Sequence, residues 1–141
     1  MAAYDLKLLD GFDNIFGCEV FFKEFRKLFK KDRETEKKYQ KWLNRQFDYL
    51  AHYPSEIFLQ TKNFELITSV DSEWPIYSIR HPESTGNPRI LFSTITDNSG
   101  QTHILLLAFK ELHDDYQRYL PTAKKRLKEI IRIIEEKGNG D

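Results

Sequence analysis

Three basic residues stand where apolar segments of the chain begin or end. Arg80 falls near the close of "WPIYSIRH" (74–81), Arg89 opens "RILFSTI", and Lys110 follows "HILLLAF". Fixed cations at strand ends suit an anion, and phosphate above all, because a guanidinium presents a planar fork to paired oxygens. Cleaving an RNA phosphodiester asks for three things: a base for the ribose 2′-hydroxyl, an acid for the departing 5′-oxygen, and cations for the charged transition state. Arginine and lysine supply the third. The plainer alternative is that each cation terminates a strand and faces solvent.

Whether these cations meet depends on the elements that carry them. "PESTGNP" is a turn of Pro, Ser, Gly and Asn between two strands, and "TDNSGQT" links the next two. The three segments therefore read as an antiparallel meander. Arg80 and Arg89 flank the first turn, so they lie at the same end of the sheet. Antiparallel order brings Lys110 back to that end, and the expectation is a rim on which all three cations converge. The near-continuous apolarity of Ile104–Phe109 predicts a central strand covered on both faces.

Earlier in the chain the period is that of helices. Phe21, Phe25, Leu28 and Phe29 fall on one helical face, and Tyr39, Trp42, Leu43, Phe47 and Leu50 on another, with Pro54 ending the second helix. Tyr4, Leu6 and Leu8 alternate as a short strand before an irregular link marked by Gly11, Asn14 and Gly17. Phe64, Leu66 and Thr68 allow a brief extended piece. A last helix is predicted from Pro121 to Lys137, with Ala123, Leu127, Ile130, Ile131 and Ile134 as its buried stripe and Gly138 as its cap. The expected fold is α+β, in the order β-α-α-β-β-β-α, with an antiparallel sheet of about four strands packed with three helices. One domain covers 1–141: a strand and link at 1–18, a helical hairpin at 19–53, the sheet at 55–110 and the helix at 121–137.

The chain has 141 residues, 22 Lys plus Arg and 22 Asp plus Glu, so its net charge is zero. That argues against attraction of the whole molecule to nucleic acid. Locally the balance differs. From Lys23 to Arg45 ten basic residues stand against Glu24, Asp32, Glu34 and Glu36. This stretch, Lys30 and Lys31 included, is either a solvated helix face or a basic stripe for phosphate backbone. The single Cys18 excludes an internal disulfide and fits a reducing cytosol. Neither a signal peptide nor a membrane span is expected. No glycine phosphate loop, paired metal-ligand spacing or serine elbow appears, and the four His are scattered, so no metal or cofactor is expected.

The set "IYSIRH…NPRILFSTI…HILLLAFKEL…DDYQRYLPTAKKRLKEI" resembles the RelE/ParE superfamily of type II toxins, in particular its HigB-like, phage-associated branch. The matching residues are Tyr77 with Arg80, Arg89-Ile90-Leu91-Phe92, Leu105–Phe109 with Lys110-Glu111, and Ala123 with Arg126. The resemblance covers roughly 55–132. It implies a RelE-like fold and a cytoplasmic toxin that cleaves mRNA on the translating ribosome. A cognate helix-turn-helix antitoxin would neutralise it and assemble it into oligomers. It also implies roles: Arg80 and Arg89 as phosphate contacts, Lys110 as the basic residue after the strand, Tyr116 and His113 for acid–base or stacking work, and Lys62 as the lysine before the core. The superfamily includes gyrase-directed toxins and members without nuclease activity, so action through protein binding is the alternative.

Overall fold

The structure, a computed structural model, describes residues 4–30, 32–70, 74–80, 88–97, 100–110 and 116–139. It contains β1 (Leu6–Leu8), β2 (Ile15–Cys18), α1 (Glu19–Lys27), α2 (Arg33–His52), α3 (Ser55–Phe58), β3 (Phe64–Val70), β4 (Trp74–Arg80), β5 (Pro88–Asp97), β6 (Gly100–Lys110) and α4 (Tyr116–Asn139). One sheet of six strands runs in the order β1-β2-β6-β5-β4-β3. It is mixed, because β2 pairs parallel with β6 while the other neighbours are antiparallel.

This corrects the expected antiparallel sheet of about four strands with three helices: six strands and four helices are described. The two additions share a physical origin. β2 occupies what reads as an irregular link, and its four residues are too few to show an alternation. Its place is fixed by distant pairing, Ile15 with His103, Phe16 with Ile104 and Gly17 with Leu105. A parallel pair needs a long crossover, and here everything from α1 to β5 lies between the two strands. Gly17 belongs there for a local reason: a Cβ would stand 2.8 Å from Phe22 Cζ, since the aromatic start of α1 folds back over the strand. The other addition, α3, is a single turn opened by Pro54 and too short to carry a period.

The antiparallel run β4-β5-β6 is present, and β6 lies inside the sheet, with His103–Phe109 buried. Phe58 of α3 forms a hub on one sheet face. Its ring centroid lies 5.0 Å from that of Phe64, 5.4 Å from Tyr77, 6.1 Å from Phe92 and 6.3 Å from His103. Ala123, Leu127, Ile130 and Ile131 of α4 are buried, whereas Ile134, expected in the same stripe, is 43% exposed. The last helix begins at Tyr116, so Pro121 lies inside it rather than at its first position. As the sixth residue it lies past the four amides that lack a helical partner, so it removes the one backbone bond that its own amide would donate to the Gln117 carbonyl.

Beyond Leu105, where β2 has turned into α1, side chains take over the polar groups of β6. Glu24 of α1 accepts the Ala108 amide at 3.3 Å. Arg126 of α4 donates to the Leu106 carbonyl at 2.8 Å and grips the same Glu24 through both nitrogens, at 2.8 and 2.7 Å. Leu106 is the residue skipped where the β5–β6 register shifts from Leu91–Leu107 to Phe92–Leu105. A bulge leaves unpaired backbone, and this ion pair covers it. Arg126 thus has a structural partner 102 residues away.

His103 packs beside the Phe58 hub, with its ring also 6.2 Å from that of Phe92. It is fully buried, and its Nδ1 is 2.8 Å from Thr94 Oγ1. Burial pulls its pKa down to about 4, only partly offset by the Leu50 carbonyl. The unfolded chain takes up a proton near the ordinary value of 6.5, which the folded chain refuses until about 4. Stability is therefore complete above pH 6.5 and falls as the pH drops through that window, by about 3 kcal/mol from this group. Urea midpoints at pH 7 and pH 4 check this against the double variant Thr94→Val/His103→Leu, which should lose much less of its stability over the same interval.

Candidate nucleic-acid interface

The sheet places the three cations at one end. Arg80 is directly opposite Arg89, Arg89 is opposite Phe109, and Pro88 is opposite Lys110. Three neighbouring strands span roughly 10 Å from first to third. Lys62 joins them: it is exposed in the turn before β3, and the next residue, Asn63, accepts the Arg80 amide at 2.9 Å.

The faces are less uniform than the expected rim. Directly opposed residues share a face and successive residues alternate, so Arg80, Arg89 and Phe109 lie on one side and Lys110 on the other. The surroundings differ too. Arg80 is half-exposed and reaches Glu65 at 3.2 Å. Arg89 is buried, donates to the Pro88 carbonyl at 3.2 Å, and its charge is felt by the buried Tyr39 phenol. Burial nevertheless dominates at Tyr39 and pushes its pKa well above the usual range. Lys110 is exposed, with its ammonium 4.9 Å from the centre of the Phe29 ring, a cation–π contact of about 0.5–1 kcal/mol.

Beside Lys110 an open cavity of ≈ 460 Å³ lies between α1, the exit of β6 and the start of α4, lined by Lys27, Lys110, Phe109 and Tyr119 among others. Tyr119 stacks on Phe109 with ring centroids 4.2 Å apart, and the Arg118 guanidinium lies 5.5 Å from the Tyr119 ring. Cations beside a stacked aromatic pair are what a single-stranded nucleic acid uses, phosphates on the former and a base on the latter. Lys27 and Tyr119 were not singled out by sequence. A signal existed for Tyr119, ten residues after Phe109, but only the helix that starts at Tyr116 brings it back over that strand end.

Lys30 is exposed just past α1. Lys31 and His113 lie outside the described residues, as do Glu111, Asp114 and Asp115. Tyr116 opens α4, and only its backbone is described. Cys18 is buried beneath the Leu105 and Leu106 carbonyls, and burial raises its thiol pKa, which makes it a poor nucleophile. Among the described residues no group of His, Cys, Asp and Glu gathers to hold a metal, and no helix is long and apolar enough to cross a membrane.

Compared with family models, curated proteins and solved structures, the chain matches none of them. The likeness to RelE/ParE toxins rests on the matching residues alone.

Proposed function

We propose that this protein is the toxin of a type II toxin–antitoxin pair and cleaves mRNA on the translating ribosome. One observation carries the reading: Arg80 and Arg89 face each other directly across adjacent strands, with Lys110 at the end of the next. Like charges directly opposite destabilise a sheet, a cost that a bound phosphate offsets. The Arg80–Glu65 pair is half in solvent, so it contributes little and yields easily to a stronger anion. In this reading the arginines hold the scissile phosphate, Lys110 and Lys27 guide the strand, and Tyr119 over Phe109 stacks a base. His113 and Tyr116 remain the proposed source of the acid and the base. A helix-turn-helix antitoxin covers this end of the sheet and links copies of the complex.

Induced expression tests the roles. Arg89→Lys keeps the charge but loses the bidentate fork, and should relieve growth arrest while the circular dichroism spectrum stays that of the wild type. Lys110→Ala should weaken arrest through poorer binding of the strand, seen as a higher KM with kcat little changed, because Lys110 lies across the sheet from the arginines. Arrest that survives both substitutions in folded protein would contradict the proposal.

A second reading has its own support. Arg89 is buried and Arg80 already meets Glu65, as in a structural network. The protein then acts by binding another protein, as a gyrase-directed toxin or a silent antitoxin partner. Arrest insensitive to the rim substitutions but abolished by changes at exposed apolar residues such as Leu66 favours it.

A further inference from the structure

The α1–α2 hairpin holds more positive charge than its own acids balance. Between Lys23 and Arg45 it has ten cations and four acids, and two of those acids are engaged internally. Glu24 turns inward to Arg126 at 2.7 Å. Asp32 caps α2, accepting from the Thr35 amide at 3.1 Å and from its hydroxyl at 2.6 Å. Glu34 and Glu36 are left among ten cations.

Where α1 ends and α2 begins, Arg26, Lys30, Arg33 and Lys37 line an open groove of ≈ 540 Å³ together with Glu36 and Gln40. Arg33, Lys37 and Gln40 follow each other at helical spacing on one face of α2, about 6 Å per four residues. Like charges four apart on a helix repel. Core packing does not require them, because the buried stripe of α2 is Tyr39, Leu43, Phe47 and Leu50. Among the described residues, the ion pair in reach is loose: Arg26 is 4.0 Å from Glu19 with its side chain 65% exposed. Lys30 directly follows Phe29, whose ring carries Lys110, so the groove adjoins the sheet end described above.

The lining decides the ligand class. It includes no aromatic or aliphatic side chain, whereas the core of a protein interface depends on such anchors. Binding to a nucleic-acid backbone needs only cations spaced along the strand. We propose that this groove binds the phosphate backbone of RNA irrespective of sequence, as a contact separate from the cleaving end of the sheet. The proposal takes its ligand class from the RNA reading above, and the test separates the two.

The probe is a short fluorescent single-stranded RNA of random sequence, followed by anisotropy against salt concentration. Four engaged cations predict a log–log slope of about −3, from about −0.7 per phosphate neutralised on a single strand. Lys30→Gln/Arg33→Gln/Lys37→Gln, with helicity checked by circular dichroism, should weaken binding at least tenfold and flatten the slope by about 2. Lys125→Gln, at an exposed α4 cation outside this lining, should leave this binding nearly intact. Affinity and slope unchanged in the triple variant would overturn the proposal, as would poly-glutamate of equal charge binding as tightly as the RNA. If RNA binds through the groove and none is cleaved, the sheet-end reading fails and this one stands. If cleavage occurs but the triple variant binds like the wild type, this proposal fails alone.

Discussion

Arg126→Met should lower the free energy of unfolding by about 3–5 kcal/mol, the range for removing one member of a buried ion pair. The reason is what Arg126 leaves behind. Glu24 loses both of its charged bonds, and the Leu106 carbonyl loses the donor that covers the bulge. The guanidinium is held charged against its burial by the Glu24 carboxylate, which raises its pKa above the ordinary value. Glu24→Gln should cost less, because the amide oxygen still accepts the Ala108 amide and one nitrogen of Arg126. Urea unfolding checks both variants, and a cost below 1 kcal/mol for Arg126→Met would contradict the structural role assigned to the pair.

Phe58→Ala should be comparably damaging, about 3–5 kcal/mol for deleting a fully buried phenyl ring. Phe58 has no solvent exposure and touches rings from β3, β4, β5 and β6. It also carries the one turn of helix that joins α2 to the sheet, so the cavity cannot collapse from one side alone. Phe58→Leu, which keeps most of the volume, should lose markedly less. Thermal unfolding of the two variants gives the comparison. Equal midpoints for wild type and Phe58→Ala would mean that the hub does not hold the sheet to its helices.

What could be read from the sequence was what local periodicity determines. The buried stripes appear at Phe21 of α1, continued by Leu28 and Phe29 just past its end, and at Tyr39, Leu43, Phe47 and Leu50 of α2. The meander followed from two turns and three apolar runs, and antiparallel geometry alone brought Arg80, Arg89 and Lys110 to one end. The faces of those residues were not legible. They depend on register, and the Arg80–Arg89 pairing carries Arg89 to the side opposite Lys110. Nor was β2 legible, since Ile15–Cys18 gains its strand character from β6 almost ninety residues later. Arg126 falls in the predicted last helix, but its partner Glu24 lies in another helix, and no local pattern joins them. For Pro121 the rule that proline starts a helix misplaced the boundary, because α4 already runs from Tyr116.

We propose that cations at one end of this sheet serve RNA cleavage. A purified translation reaction programmed with a single mRNA, with RNA 5′ ends mapped after adding the protein, tests it most directly. New ends are expected on ribosome-loaded mRNA, none when ribosomes are left out, and far fewer with Arg89→Lys. Intact mRNA with the wild-type protein at concentrations that arrest growth would contradict it.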